Sequence, residues 1–111
     1  MKALDLINEI TATYQRHGWD LGRVLLRPAT RAEIDQPARE LLKGARVVDA
    51  EFDALWFTRP SHQNREAWEL RLLAEQPYAL FEAFEADEAE EQREEKLREM
   101  ENRMREQAAQ G

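Results

Sequence analysis

The chain has no cysteine, one serine, two histidines and only four glycines among its 111 residues. Without cysteine there is no disulfide staple and no thiol chemistry, and zinc loses its commonest ligand. The lone Ser61 sits beside His62. Neighbours in an extended segment point apart, so the pair cannot form the hydrogen bond that activates a nucleophile, and no Gly-x-Ser-x-Gly elbow surrounds it. Ser61 reads as a turn residue after Pro60. His17 and His62 lie far apart and belong to no His-x-x-x-His or Glu-x-x-His spacing, so no metal site is expected. Glycines at 18, 22, 44 and 111 build neither a phosphate-cradling loop nor a dinucleotide fingerprint, and the acidic stretches lack the pattern of a calcium loop. No cofactor is expected, and no catalytic residue can be named. A long apolar run is missing too. The first fifteen residues carry charges inside their apolar pattern, which suits neither a signal peptide nor a membrane span. The expected location is cytoplasmic, away from the membrane.

Charge is plentiful and uneven. The net charge of −7 divides into +2 over residues 1–46 and −9 over residues 47–111. So acidic a chain is repelled by nucleic acid and anionic lipid, both of which need basic patches. The mildly basic first half can pair with the acidic second half, within one chain or between copies, although surface pairs contribute only about 0–1 kcal/mol each.

Along the chain, Leu4, Ile7, Ile10 and Tyr14 recur at helical spacing and predict a helix over residues 2–17. Gly18 suits its left-handed cap, with Trp19 folding back on it. Leu21 to Arg27, bounded by Gly18 and Pro28, predicts a strand. Thr30 to Glu33 forms a capping box for a helical stretch to Lys43, with Gly44 as its stop and Pro37 interrupting it. Ala38, Leu41 and Leu42 would be its buried side. Val47 to Thr58 reads as one strand closed by Arg59-Pro60. Ala67 to Glu75 alternates like a half-buried strand, but no residue after Thr58 is β-branched and its residue types favour helix. Alternation decides for strand. Tyr78 to Phe84 reads as a short strand running into the final helix. The expected fold is therefore α+β: a small, largely antiparallel sheet of three to four strands, helices on one face, and a long charged C-terminal helix. The expected division is a compact domain over 1–84 and that helix over 85–111.

Two constellations stand out. In the tail, Ala86, Ala89, Leu97, Met100, Met104 and Ala108 form a thin stripe with an eleven-residue repeat, Arg93 filling one gap. Glu94–Arg98, Glu99–Arg103 and Glu101–Arg105 have the spacing of helical ion pairs. Such a stripe can dock on its own sheet, meet a second copy or receive another protein. Phe81 and Phe84 can root it, leaving it free or shared towards Met104. The candidate interface is Phe81, Phe84, Leu97, Met100 and Met104. The second constellation is Trp56, Arg59, His62, Arg65, Trp68 and Arg71. On a hairpin, Trp56 faces Trp68 and Phe52 faces Leu72, or, one residue over, Phe57 faces Trp68 and Arg59 faces Glu66. These residues can fill a core or hold an anionic or planar ligand. The function expected is a non-enzymatic interaction or structural module, forming a homodimer or binding another protein through its C-terminal helix. The alternative is a small-molecule-binding domain, or minor enzyme, at the Trp/Arg hairpin.

Overall fold

Continuous apolar runs in the central strands, buried on both faces, decide the architecture. The computed structural model describes residues 3–34 and 45–110. Helix α1 (Ala3–Arg16) leads into strand β1 (Asp20–Leu26) and the short helix α2 (Pro28–Glu33). Strands β2 (Arg46–Asp49), β3 (Ala54–Pro60), β4 (Glu66–Leu72) and β5 (Ala79–Phe84) follow, and helix α3 (Glu90–Gln110) ends the chain. The five strands form one sheet in the order β2-β1-β3-β4-β5. The β1–β2 pairing is parallel and the other three are antiparallel. The fold is thus α+β with a five-stranded mixed sheet and a C-terminal helix, one or two strands more than expected.

The extra strand arises where one strand was expected over 47–58. The chain breaks at residues 50–53 because β2 and β3 flank β1 on opposite sides. The link wraps the end of β1: the Ala50 N–H donates to Leu26 O at 2.9 Å, and Asp53 Oδ1 accepts the Arg27 N–H at 2.8 Å. Asp53 Oδ2 also accepts Thr30 Oγ1 at 2.7 Å. Thr30 therefore does not cap a helix. α2 opens two residues earlier, at Pro28, whose missing N–H costs nothing in a first turn. The expected continuation to Lys43, with Pro37, Ala38, Leu41, Leu42 and the stop at Gly44, lies outside the described residues.

The helices do not share a face. Val24, Leu26, Leu55 and Phe57 pack with Ile7 and Ile10 of α1 on one side. Leu25, Ala54, Trp56, Leu70, Leu80 and Phe84 pack with Leu97, Met100 and Met104 of α3 on the other. The continuous apolar runs of β1 and β3 explain this, since strands buried on both faces lose the polar half of the alternation. α3 is seated past Met104, with Ala108 packed on the same core. It makes none of the three expected within-helix ion pairs. Arg105 instead reaches Glu51 at 2.8 Å, Lys96 reaches Glu88 at 3.0 Å and Arg93 reaches Glu66 at 3.4 Å. At the other end, Gly18 takes φ +85°, the left-handed cap of α1, and the Trp19 N–H bonds back to Tyr14 O at 3.1 Å. Among the described residues, no helix is long and apolar enough to cross a membrane.

Candidate functional site

The β3–β4 hairpin does form, two residues out from the first expected register. Trp56 pairs with Leu70, Thr58 with Trp68, Ala54 with Leu72 and Arg59 with Ala67. A shift of two preserves which face each side chain takes. Trp56 and Trp68 therefore still share a face, as diagonal neighbours with ring centroids 5.5 Å apart. Neither alternative register is realised, because β3 runs on to Pro60 and β4 starts at Glu66, which leaves a turn of only residues 61–65. Ser61 N–H bonds Arg65 O at 2.9 Å, and Gln63 and Asn64 take φ of 60° and 62°.

The Trp/Arg constellation does not converge on one pocket. Trp56 is fully buried under α3, its Nε1–H donating to Glu101 Oε2 at 2.9 Å. Trp68 is half-buried beside it and donates to Glu66. Arg59 and Arg71 project from the opposite face. Arg59 holds His17 O at 3.0 Å and lies over the Trp19 ring, its guanidinium 5.3 Å from the centroid. Arg71 donates to the carbonyls of Leu72 and Ala74, bracing the β4–β5 link. His62 and Arg65 sit exposed at the hairpin turn, Arg65 paired to Glu85 at 3.0 Å. The aromatic pair Phe81/Phe84 is also divided. Phe84 is buried in the α3 core, whereas Phe81, on the other face, is 59% exposed.

Phe81 is the exposed large hydrophobic residue among those described. Its setting follows from the sheet. α1 lies over β1, and α3 lies over β4 and β5 on the other face. Among the described residues, this diagonal arrangement leaves the α1 side of the sheet uncovered at β5. One cross-strand row on that side runs Leu21, Phe57, Glu69, Phe81. Trp19, half-buried, meets Phe81 edge-on at 6.3 Å. Tyr14 stacks on Phe57 at 4.0 Å, and its hydroxyl donates to Glu69. Burial, that hydrogen bond and the Glu69 charge together push the Tyr14 hydroxyl well above the usual phenol range, with Arg71 opposing weakly.

β5 is also the sheet's last strand, so its outer edge carries unpaired main-chain groups among the described residues. Leu72 N–H donates to Tyr78 O at 2.9 Å. Antiparallel pairs alternate between bonded and non-bonded. In the observed register, Leu80, Glu82 and Phe84 therefore turn their N–H and C=O groups to β4, and Ala79, Phe81 and Ala83 turn theirs outward. Strand physics thus puts three adjacent features in one place: an exposed aromatic ring, two small flanking residues and a row of free donors and acceptors.

Sequence reasoning named Phe81 but missed Trp19, Ala79 and Ala83. The signal was present in the alternation over 79–84, where Leu80 and Phe84 share one face and Phe81 the other. Phe81 and Phe84 stand three residues apart on β5 and so cannot act as a single anchor. A separate cleft of about 570 Å³ lies between α1 and the β4–β5 link, lined by Leu6, Ile10, Tyr14, Arg71 and Pro77 among others. The Tyr14 hydroxyl and the Arg71 guanidinium there are both engaged within the chain. The chain matches no protein-family model, no curated protein and no solved structure.

Proposed function

We propose that this protein is a non-enzymatic interaction module whose contact surface is the outer edge of β5 and the open sheet face around Phe81. The observation that carries the reading is Phe81 itself, 59% exposed on a strand whose neighbouring main-chain groups have no partner among the described residues. Exposed edges of this kind are normally blunted by charge, proline or a covering element, because they pair with other strands. Here the outward-facing residues are Ala79, Phe81 and Ala83, and none of them blocks pairing. Strand addition to such an edge draws affinity from main-chain bonds and specificity from side chains such as Phe81 and Trp19.

In this reading α3 is a clamp rather than the contact. Leu97, Met100 and Met104 are between 0 and 3% exposed against their own sheet, so offering them to another chain would first require opening the core. The ligand-binding alternative loses its support because Trp56 and Trp68 lie on one face of the sheet, Arg59 and Arg71 on the other. The partner is a protein rather than nucleic acid, since a chain of net charge −7 repels phosphate backbones. The cytoplasm is the working compartment of this reading.

The test is site-specific photo-crosslinking in cells. A photoreactive side chain at position 81 should give a discrete adduct that Ala83→Pro removes, by taking away one outward N–H. The same group at position 95, on the outer side of α3, should give none. Equal labelling at both positions, or none at position 81, would refute the reading.

A further inference from the structure

Resting on that interaction reading, we infer that the occupant of the β5 edge is β5 of a second copy, paired antiparallel about a two-fold axis to make one continuous ten-stranded sheet. An axis normal to the sheet keeps the α1 side of both copies on the same side, so only registers that match like faces are open. Three can be compared. With Phe81 opposite Phe81 of the second copy, Ala79 falls opposite Ala83. Every outward-facing residue then lies in a bonded pair, giving about six main-chain hydrogen bonds. The two Phe81 rings meet side by side, with alanines on either flank leaving them room. Advancing the register by two residues puts Glu82 opposite Glu82, a like-charge pair, and leaves Ala79 without a strand partner. Retreating by two carries the pairing onto Pro77, which has no N–H to give. The strand is thus complementary to itself in one register and penalised in its neighbours.

The flanks agree with this choice. Pro77 ends the pairing on one side, and Glu85 on the other is already held by Arg65 at 3.0 Å. On the α3 side the register sets Leu80 beside Glu82 of the second copy, so no two like charges stand opposite. The contact consists of one strand edge and one aromatic pair, which falls at or below the low end of specific interfaces, about 1,200 Å² in total. A reversible dimer, micromolar or weaker, is what such an edge sustains.

The absence of cysteine makes the register directly testable. Ala79→Cys and Ala83→Cys leave Phe81 in place and alter only small side chains. In the inferred dimer the two positions form a bonded pair with Cα atoms about 5.5 Å apart, within disulfide range. An equimolar mixture of the two variants, under mild oxidation, should yield a disulfide-linked heterodimer. Either variant alone should not, because Ala79 of the two copies lie about 14 Å apart along the strands. Phe81→Asp in both chains should cut the yield more than tenfold while the circular dichroism spectrum stays that of the wild type. The inference is overturned if the mixture gives no heterodimer and sedimentation finds a monomer near millimolar concentration. It is equally overturned if Ala79→Cys alone links as fast as the mixture. Should position 81 label only a foreign protein in the cellular experiment, the second copy is excluded and the interaction reading stands.

Discussion

Tyr14 shows how one side chain ties the α1 layer to the candidate surface. Its ring stacks on Phe57 at 4.0 Å and its hydroxyl donates to Glu69, the residue directly opposite Phe81. Tyr14→Phe keeps the stack and deletes the donor, leaving a half-buried carboxylate short of one bond. The expected cost is about 1–3 kcal/mol, measured by urea denaturation at neutral pH. The pH dependence has a definite sign. The Tyr14 hydroxyl is raised above its unfolded value, so folding favours the protonated form. That contribution is complete below the unfolded phenol value of about 10 and is lost as pH rises through the higher folded value. The wild-type urea midpoint should therefore fall more steeply above about pH 10 than that of Tyr14→Phe. Parallel profiles for the two proteins would show that the hydroxyl is not held in its neutral form.

Among the elements, α3 contributes most to the core on its side of the sheet. Leu97 is 2% exposed, with Trp56, Leu70 and Phe84 in the same cluster. Leu97→Ala removes packing that the rigid sheet cannot close over, and should cost about 2–5 kcal/mol. The transition should remain a single cooperative step, observed by both Trp fluorescence and circular dichroism. An unchanged fluorescence midpoint would mean that the helix unfolds independently of the sheet. The stripe Leu97, Met100, Met104 was readable from spacing alone, as were α1 with its Gly18 cap and a strand from Ala67, although β4 ends at Leu72 and residues 73–75, expected to extend it, bend into the link to β5. In β4 alternation outweighed helix-favouring residues because the strand lies between two paired neighbours. Which surface the stripe meets is a tertiary fact. An eleven-residue repeat is satisfied equally by the chain's own sheet or by another helix. The break at 50–53 was hidden for a related reason. Residues on both sides of it have strand composition, and only β1, lying between β2 and β3, forces them apart. At the candidate surface, Phe81 was visible as a residue but not as an edge, since strand order sets the edge and no local pattern encodes strand order.

For the whole molecule, charge and sheet edge make opposed demands on association. Each copy carries a net charge of −7, so bringing two together is repulsive at long range. Main-chain bonds and an aromatic pair are the attractive terms in a β5–β5 contact, and neither is weakened by added salt. Raising ionic strength from about 0.01 M to about 0.1 M shortens the screening length from about 30 Å to about 10 Å. Repulsion between the copies fades while the attraction persists, so the dimer should tighten by a few-fold as salt is added. An association driven instead by the basic first half of one chain meeting the acidic second half of another would loosen under the same change, because its attraction is the screened term. Sedimentation equilibrium across that salt series separates the two. A dissociation constant that falls with salt in the wild type, and is higher at every salt concentration in Phe81→Asp because the added charge opposes pairing at short range, is the outcome the edge geometry requires. A constant that rises with salt would place the contact on the charged surfaces and not on β5.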